Sequence, residues 1–248
     1  EKELFPVIRF AHTGDMTDTL DLVLCLGGDG LIMHTNAMFG DRSIPPVLSF
    51  DLGSLGFLAP FPFTEFKEAV DRVLEGDVLL TLRMRLQCTI RRQGRTCGVY
   101  QVLNEVVVDR GPSPYLCNLD LYCDDQFLTT VQADGLIMST PTGSTAYSLS
   151  AGGSMVHPSV PALLLTPICA HTLSFRPLLL PDSCVLQCVI PIGGRGNGWV
   201  SFDGKFRQEL QGGDVLEVCM SPYPMATVNR ENFTADWFES LRHAFMFN

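Results

Sequence analysis

The chain has 248 residues, of which 46% are hydrophobic and 18% are charged. This composition is typical of a globular protein with a sizeable core and one or two domains. Its 27 acidic and 17 basic residues give a net charge of −10, which argues against a nucleic-acid surface and against binding to anionic membranes. The sequence contains no apolar run of the ~18–20 residues that a membrane span needs.

The nine cysteines are an odd number without any C-x-x-C pair. Cys25 and Cys169 lie in apolar runs, as is typical of reduced and mostly buried thiols. Cys184 and Cys188 are four residues apart, but no pair of histidines is near to complete a zinc site. We therefore predict a cytoplasmic protein, or at least an intracellular one, with an organelle left open.

The first twenty residues contain one candidate strand, over 5–10. They leave little room for the strand–helix unit that normally precedes a glycine turn in an α/β domain. Two explanations stay open: the start is missing, or pieces are joined across unseen segments.

The strongest pattern lies at 22–30, where five apolar residues pass directly into Gly27-Gly28-Asp29-Gly30. The apolar run predicts a strand buried on both faces, as in a parallel sheet. Glycines let the backbone turn sharply and bring bare N–H groups close to a ligand. A helix predicted over 31–39 follows, so strand, turn and helix N-terminus predict a phosphate-binding site at the three glycines.

Asp29 is the informative residue of this turn, because a carboxylate repels phosphates. The lysine-containing phosphate loop and the G-x-G-x-x-G dinucleotide fingerprint both fail to match here. Asp29 therefore indicates either a metal ligand or a base that acts on a hydroxyl next to phosphates. The alternative is a turn in which Gly-Asp-Gly is needed for its shape alone.

A second buried strand is predicted over 46–50, and it ends in another glycine-bearing turn. Two such turns at strand ends fit ligand binding at the carboxyl edge of a parallel sheet. Phe57 in the second turn suits either the core or a platform for stacking a base. A helix is predicted over 64–75, with Thr64 as its cap and Gly76 as its end.

The pattern changes near residue 79, after which short β-rich runs alternate with turn residues. The predicted strands span 82–90, 99–110, 116–122, 127–131, 162–166, 185–190, 198–202 and 215–220. Strands at this density predict a sandwich or a barrel-like second domain. The tail, 236–247, has the apolar spacing of a helix that packs on the protein.

Asn104 and Glu105 interrupt the apolar strand predicted over 100–108. Because side chains alternate faces along a strand, one of the two is expected to point each way. An unpaired buried carboxylate is costly, so Glu105 implies a partner or a ligand. A strand end or a bulge at this point is the alternative.

Segment 134–153 is rich in hydroxyl groups. A strand over 136–139 enters a Pro/Gly loop, and a helix is predicted to start near Ser144 or Thr145. Hydroxyls and free N–H groups suit ribose and phosphate oxygens. Further along, Asp203-Gly204 predicts a type I′ hairpin, and Lys205 directly after it is placed to reach a phosphate.

Together these motifs resemble the NAD kinase family, from Leu20 to the C-terminus. The matching motifs, in the family's order, are Gly27-Gly28-Asp29-Gly30, the turn at 52–58, the segment 103–107, Asp134-Gly135 and the run 139–147. Gly-Gly-Asp-Gly is shared with diacylglycerol kinases, sphingosine kinases and phosphofructokinases. The run 139–147 together with Asn104-Glu105 is far more specific.

The resemblance implies an N-terminal Rossmann-like α/β domain and a C-terminal all-β, sandwich-like domain, with a C-terminal helix that returns to the first domain. The expected boundaries are 1–80, completed by 226–248, and 81–225. The implied activity transfers the γ-phosphoryl group of ATP to the 2′-hydroxyl of the adenosine ribose of NAD. It uses Mg²⁺ or another divalent cation, in a homo-oligomer that is a dimer or a tetramer.

The resemblance also implies roles for single residues. Asp29 matches the base, and Gly30 lies beside the dinucleotide. Asn104 contacts adenine, Glu105 lies near ribose hydroxyls, and Asp134 lies near the nicotinamide end. The remaining residues expected to line the NAD site are Phe57, Thr145, Ala146, Tyr147 and Ser150. The metal ligands are not implied.

Independently of the resemblance, the residues agree with phosphoryl transfer to an alcohol. This reaction needs positioning and charge stabilisation rather than a covalent nucleophile. We therefore expect NAD and ATP as partners, and neither nucleic acid nor a membrane. A lipid kinase with the same signature is one alternative, but it would want a hydrophobic or basic membrane-facing surface. A catalytically idle dinucleotide-binding module is the other.

Overall fold

The computed structural model describes residues 19–53, 56–172, 174–194 and 197–246, so the strand predicted over 5–10 lies outside the described residues. The described helices are α1 (Asp29–Phe39), α2 (Phe66–Glu75), α3 (Tyr147–Ser150) and α4 (Phe233–Phe245). The described strands are β1 (Val23–Leu26), β2 (Ile44–Asp51), β3 (Phe61–Pro62), β4 (Leu80–Arg83), β5 (Leu86–Arg92), β6 (Arg95–Val102), β7 (Glu105–Asp109), β8 (Cys117–Cys123), β9 (Gln126–Ala133), β10 (Gly135–Ser139), β11 (Ala162–Ile168), β12 (Leu178–Pro181), β13 (Leu186–Val189), β14 (Gly198–Phe202), β15 (Lys205–Leu210), β16 (Val215–Met220) and β17 (Met225–Val228).

The strands form three sheets. The first has the order β1-β2-β17-β4, with β3 beside β2, and its first strands pair in parallel. The other two are antiparallel six-stranded sheets with the orders β12-β11-β10-β7-β14-β15 and β6-β5-β16-β13-β8-β9. Their apolar faces share one core, to which Leu136 of one sheet and Leu186 of the other both contribute. The predicted fold, an α/β part plus a β-sandwich-like part, is confirmed.

Helices cover both faces of the first sheet. Ile32 of α1 packs with Cys25 and Val47 on one face, while Ala69 of α2 packs with Phe50 on the other. Because the side chains of a strand alternate, β2 contributes Val47 to one cluster and Phe50 to the other. The division of the chain at residues 80/81 and 225/226 stays a prediction.

The prediction that β1 is buried on both faces is wrong. Cys25 is buried, but Leu24 and Leu26 are 46% and 47% exposed. The strand lies at one end of the strand order of its sheet. Helix α1 covers the Cys25 face, whereas α2 packs further along, on Phe50 and Phe61. An apolar run by itself cannot distinguish this arrangement from a central strand.

The predicted helix over 64–75 is observed as a 3-10 turn, Phe63–Glu65, followed by α2. Thr64 is therefore inside the turn and not at the cap, and the position before α2 makes no side-chain capping hydrogen bond. Gly76 ends the helix as predicted, in a left-handed conformation with φ of 78°.

The strand predicted across Asn104 and Glu105 is two strands in different sheets. β6 ends at Val102 and β7 begins at Glu105, so residues 103–105 form a corner between the two sheets of the sandwich. Leu103 leaves the sandwich and packs in the α1 cluster with Ile32. The polar pair therefore marks the place where the chain changes sheet and meets the first sheet's helix.

The helix predicted to start near Ser144 or Thr145 begins later. A 3-10 turn, Thr142–Thr145, precedes the single turn of α3. Hydroxyl groups in this segment hydrogen-bond to nearby backbone, which competes with helix formation. Gly152, with φ of 87°, follows the turn.

The C-terminal helix returns to the first sheet, as expected. Asn232 caps α4 by accepting a hydrogen bond from the Ala235 N–H, and α4 spans Phe233–Phe245 where 236–247 was predicted. The Ser240 hydroxyl donates to the Gly56 carbonyl at 2.9 Å, which fixes the helix against the second glycine-bearing turn. Phe247 lies outside the described residues.

Candidate active site

Asp29 is the first residue of α1, and it joins the two glycine-bearing turns. Its Oδ2 accepts a hydrogen bond from the Phe57 N–H at 2.9 Å, and its Oδ1 accepts one from the Leu58 N–H at 3.0 Å. A Cβ at Gly56 would lie 2.1 Å from Oδ1, so a side chain there would displace the carboxylate. Since an ionised carboxylate has about four acceptor sites, two remain for a metal or a hydroxyl.

The N-terminus of α1 is open. Gly28 at the cap position has no side chain that could cap the helix, and among the described residues a Cβ at Gly28 or Gly30 would meet no atom within 4 Å outside the helix's own backbone and the adjacent residues. Only Gly27 needs to be glycine for the backbone, because its φ is +154°. The space around Gly28 and Gly30 is thus available to an anion at the positive end of the helix.

Arg83 supplies a buried positive charge next to Asp29. Its guanidinium donates to the Thr227 hydroxyl at 3.2 Å and to the Phe57 carbonyl at 3.5 Å. Burial lowers the pKa of Arg83 to about 10, while the carboxylates of Asp29 and Asp236 act to raise it. The guanidinium therefore stays charged at neutral pH and offsets the negative charge at the turn.

The corner at 103–105 and the hydroxyl-rich loop contact each other through their backbones. The Thr140 N–H donates to the Asn104 carbonyl at 2.9 Å, and the Thr140 hydroxyl donates to the Leu103 carbonyl at 2.6 Å. A Cβ at Gly143 would lie 2.3 Å from the Asn104 carbonyl oxygen. The structure thus brings the Asn104-Glu105 pair and the 139–147 run together.

Glu105 is buried, and its Oε2 has no hydrogen-bond partner among the described residues. Burial, and to a smaller extent the charge of Asp203, raise the pKa of Glu105 to about 7, while a hydrogen bond from the Tyr147 N–H acts to lower it. At neutral pH the carboxyl is close to half protonated. It can accept a hydrogen bond from one hydroxyl or donate one.

Most hydroxyls of the loop are used within the chain, which the sequence did not predict. Ser139 donates to the Thr140 carbonyl, Ser144 bonds with both the N–H and the carbonyl of Val156, and Ser148 bonds with the Thr166 hydroxyl. Of the residues predicted to line the NAD site, Tyr147 and Ser150 are exposed, while Thr145 and Ala146 are half-buried. A ligand can therefore reach these four residues, as it can the half-buried Leu149 and Ala151 and the exposed Gly152.

Asp134 lies apart from this cluster. Ser139 is in register with Glu105 at one end of β10, and Gly135 is in register with Asp109 at the other. Four strand residues separate the two ends by roughly 13 Å. Asp134 instead forms an ion pair of 2.8 Å with Arg110.

Two further predicted residues have defined positions. Phe57 is half-buried, and its ring lies 6.1 Å from that of Phe245 of α4, which is a packing contact. Lys205 is exposed at the start of β15 and lines a cleft with Gln101, Phe206 and residues of α1. Lys205 therefore begins the second strand of the hairpin and lies near the middle of α1.

Sequence reasoning missed Asn36, Arg85 and the role of Asp203. Asn36 is buried on α1, and its amide donates to the Gln101 carbonyl at 3.2 Å and to Asp203 Oδ2 at 3.3 Å. Arg85 is fully buried and donates to Asn36 Oδ1 and to the Gly40 and Arg42 carbonyls. The sequence signal that could have revealed this cluster is Asn36, a polar residue on the apolar face of the predicted helix.

Among the residues with described positions, no group of three His, Cys, Asp or Glu side chains could hold a metal ion. Mg²⁺ at phosphoryl-transfer sites is commonly bound through one or two carboxylates together with substrate phosphates. The single carboxylate of Asp29 at an open anion site fits that kind of binding.

The structure thus combines an α/β part, which carries the glycine turn at the N-terminus of α1, with a β-sandwich. Residues 11–78 match the ATP-NAD kinase N-terminal domain, and residues 103–230 match the ATP-NAD kinase C-terminal domain. The chain belongs to the NAD kinase family.

Two curated relatives and two solved structures illustrate the similarity. NAD kinase 2, chloroplastic, of Arabidopsis thaliana is 53% identical over 236 residues, which are 92% of this chain and 24% of the relative. The NAD(+) kinase of Saccharomyces cerevisiae is 50% identical over 223 residues, 84% of this chain and 42% of the relative. The chain thus spans about a quarter to less than half of the length of these curated relatives.

Among solved structures, yeast NADH kinase complexed with NADH is 42% identical and superposes with a TM-score of 0.85, covering 92% of this chain and 67% of that one. An NAD kinase from Archaeoglobus fulgidus in complex with ATP is 21% identical with a TM-score of 0.76, covering 92% and 85%. The second similarity concerns the fold alone.

Proposed function

We propose that this chain carries the catalytic core of an NAD kinase, which transfers the γ-phosphoryl group of ATP to the 2′-hydroxyl of the adenosine ribose of NAD and so makes NADP. The observation that carries the proposal is the Asp29 carboxylate, which lies at an uncapped helix N-terminus between two glycines that face open space. The 50% identity with a yeast NAD(+) kinase supports it.

In this proposal the phosphates lie at the N-terminus of α1, near Gly27, Gly28 and Gly30. The free N–H groups and the helix dipole stabilise their charge. Asp29 accepts the proton of the attacking hydroxyl, and Lys205 is a further candidate for a phosphate contact. A divalent cation bound by Asp29 and the phosphates would neutralise part of the negative charge of the transferred phosphoryl group.

The NAD side consists of the corner and the loop. Asn104 contacts the adenine, and the Glu105 carboxyl bonds to ribose hydroxyls, for which its unpartnered Oε2 is suited. The other proposed lining residues are Gly30, Phe57, Thr145, Ala146, Tyr147 and Ser150. Such a site binds and orients the acceptor, which is the main catalytic requirement for phosphoryl transfer.

Asp134 bears on the proposed oligomer. Its position at the far end of β10 puts it roughly 13 Å along the strand from the residue in register with Glu105. We propose a homodimer or homotetramer in which Asp134 of one copy lies near the nicotinamide end of NAD bound to another. Light scattering of the purified chain, with and without NAD, tests the assembly.

The described part of the chain has no helix that is long and apolar enough to cross a membrane. All nine cysteines are free thiols, which agrees with a reducing compartment. We propose the cytoplasm, although the Arabidopsis relative is chloroplastic. Fractionation of cells that express the complete protein would test this location.

The activity is tested by incubating the protein with ATP, Mg²⁺ and NAD, and coupling the product to an NADP-specific dehydrogenase. NADH replaces NAD in a parallel reaction, and vesicles with diacylglycerol or sphingosine replace it in a third. We expect NADP from NAD and no lipid product. Lipid turnover with NAD inert, or NAD binding without turnover, would contradict the proposal.

A further inference from the structure

Asp203 lies in the β14–β15 hairpin, which is the predicted type I′ turn, with φ of 47° at Asp203 and 71° at Gly204. Its carboxylate points away from the hairpin and binds the corner. Oδ2 accepts a hydrogen bond from the Leu103 N–H at 2.8 Å. Oδ1 accepts bonds from the Asn104 N–H at 2.9 Å and the Glu105 N–H at 3.1 Å.

The same carboxylate connects the corner to α1. Asn36 of α1 donates to Asp203 Oδ2 at 3.3 Å and to the Gln101 carbonyl. The Asn36 amide is itself oriented by Arg85, which donates to its Oδ1 at 3.1 Å. One side chain thus binds three consecutive backbone N–H groups of the sandwich and a helix of the first sheet.

Position along α1 makes this connection relevant to the site. Asn36 is seven residues from Asp29, roughly 10 Å along the helix axis. Leu103 packs in the cluster that contains Ile32, so the chain runs along α1 towards its N-terminus as it approaches Asn104. The hairpin therefore fixes where Asn104 and Glu105 stand relative to the end of α1 that carries Asp29.

We propose that Asp203 is a positioning residue, whose carboxylate holds the corner at 103–105 against α1 and thereby places Asn104 and Glu105 for the dinucleotide. The inference rests on the proposed NAD kinase function for its kinetic consequence. Its structural part, the restraint on three backbone N–H groups, does not depend on that function.

The charges around Asp203 give the proposal a pH signature. Among the described residues, the titratable groups that face Asp203 are Glu105 on β7, Arg85 before β5 and the Cys88 thiol on β5. Burial raises the pKa of Asp203 to about 6, although its hydrogen bonds from the corner act to lower it. Because the negative charge of Asp203 raises the pKa of Glu105, loss of that charge lowers the pKa of Glu105.

The kinetic test compares wild type, Asp203→Asn and Asp214→Asn, with NAD and ATP varied separately. Asp214 is a matched control, because it is also a buried aspartate that accepts a backbone N–H, from Gln211, but it pairs with Arg92 away from the corner. Hydrogen bonds to charged groups are worth more than neutral ones, so we expect Asp203→Asn to raise the KM for NAD about 10- to 100-fold. The KM for ATP stays unchanged, and Asp214→Asn changes neither.

Two further readouts separate positioning from general stability. In Asp203→Asn, the acid limb of the pH profile of kcat/KM for NAD moves to lower pH, as the lowered pKa of Glu105 requires. Hydrogen exchange of the amides at 103–105 becomes faster in Asp203→Asn and not in Asp214→Asn. Should Asp203→Asn fail to fold, Asn36→Ala removes one of the four donors, and we expect an increase of about fivefold in the KM for NAD.

The outcomes are distinguishable. The inference is overturned if the wild type is active and Asp203→Asn has the same KM for NAD and the same hydrogen exchange of the amides at 103–105. Equal changes in the KM values for both substrates, with an unshifted pH profile, also overturn it in favour of a general structural role. Faster corner exchange in Asp203→Asn, combined with a wild type that does not turn over NAD, supports the restraint and overturns the proposed function.

Discussion

The glycine turn at α1 and the hydroxyl-rich loop at 139–153 are both predicted to bind phosphate or ribose, yet they are built in opposite ways. At the glycine turn, the helix terminus is uncapped and the Cβ positions of Gly28 and Gly30 face open space. In the loop, Ser139, Ser144 and Ser148 are buried and bonded to the chain itself. Polar composition therefore does not tell whether polar groups are available to a ligand.

The difference has a simple physical origin. Buried hydroxyls and N–H groups must find partners, and a loop packed against a sandwich finds them in its own backbone. A helix N-terminus at the surface has no such requirement, because water satisfies it until a ligand arrives. We therefore expect glycines that neither packing nor the backbone conformation requires to be the better indicator of a ligand in this protein.

The largest effect is expected at the open terminus, for Asp29→Asn. Asparagine has nearly the same size, and its one oxygen can still accept from Phe57 or Leu58, so the fold and NAD binding should persist. Turnover should fall by roughly 10²–10⁴-fold, the usual range for removal of a general base. Steady-state kinetics and a thermal melt of the same preparation measure both quantities.

Varying the metal concentration separates the two roles of Asp29. Partial recovery of Asp29→Asn at high Mg²⁺ would indicate a metal ligand, and the absence of recovery would indicate a base. If Asp29→Asn kept near-normal turnover, Asp29 would have only the turn-joining role that its bonds to Phe57 and Leu58 describe.

Alanine at two glycines tests the comparison directly. A Cβ at Gly30 meets no atom of the described residues within 4 Å beyond the helix's own backbone and the adjacent residues, and alanine is favoured over glycine within a helix by about 1 kcal/mol. Gly30→Ala should therefore keep or raise the free energy of unfolding, yet reduce kcat/KM by about 100-fold through misplaced phosphates. Urea denaturation and the coupled assay are the measurements.

Gly143→Ala, by contrast, should lower the free energy of unfolding. Its Cβ would lie 2.3 Å from the Asn104 carbonyl oxygen, and such overpacking costs about 1–3 kcal/mol of stability. The comparison would be wrong if Gly30→Ala destabilised the protein as much as Gly143→Ala while leaving activity intact.

Much of the fold could be predicted from the sequence because local signals sufficed. Gly76 ends its helix, and Asp203-Gly204 forms the expected hairpin. The change of sheet at 103–105 could not be predicted, because buried apolar residues continue on both sides of it, from Val102 to Val106. The exposure of Leu24 depends on which elements cover β1, and the sequence of the strand itself does not determine this.

The candidate site, like the fold, could be predicted where local motifs sufficed and not where tertiary contacts decide. The predictions named the residues with distinctive local motifs, among them Asp29, Asn104 and Glu105, whose roles stay predictions. They interpreted Asp203 as a turn residue from the Asp-Gly pair, and they missed the groups that its carboxylate binds, because these lie about 100 residues earlier in the chain. Tertiary contacts over such separations leave no spacing in the sequence that could reveal them.

The next largest effect concerns Glu105 and pH. In the folded protein its pKa is raised to about 7, whereas an unfolded glutamate titrates near 4.3. Its contribution to stability is therefore fully present below about pH 4.3 and is lost as the pH rises through about 7, by up to about 4 kcal/mol. Glu105→Gln does not titrate and should avoid this loss.

Urea denaturation of Glu105→Gln and wild type at pH 5 and pH 8 measures the difference. The variant should gain stability relative to wild type as the pH rises. Asp203 titrates in both proteins, so its own contribution largely cancels. Parallel stability curves for the two proteins would contradict the buried, unpartnered state of the Glu105 carboxyl.

The smallest effects are expected at two neighbours on α3, which bring the comparison down to adjacent side chains. Tyr147 is 44% exposed, and Ser148 is fully buried with its hydroxyl 2.8 Å from that of Thr166. Tyr147→Ala should weaken NAD binding by on the order of 1 kcal/mol and leave both stability and ATP binding unchanged. Ser148→Ala leaves the Thr166 hydroxyl buried without this partner, so it should cost about 1–3 kcal/mol of stability and leave the affinity for NAD unchanged.

Isothermal titration with NAD and with ATP, together with urea denaturation of each variant, checks both predictions. Equal loss of NAD and ATP affinity in Tyr147→Ala would remove Tyr147 from the NAD site, and a loss of NAD affinity in Ser148→Ala would mean that the internally bonded hydroxyls also act on the ligand.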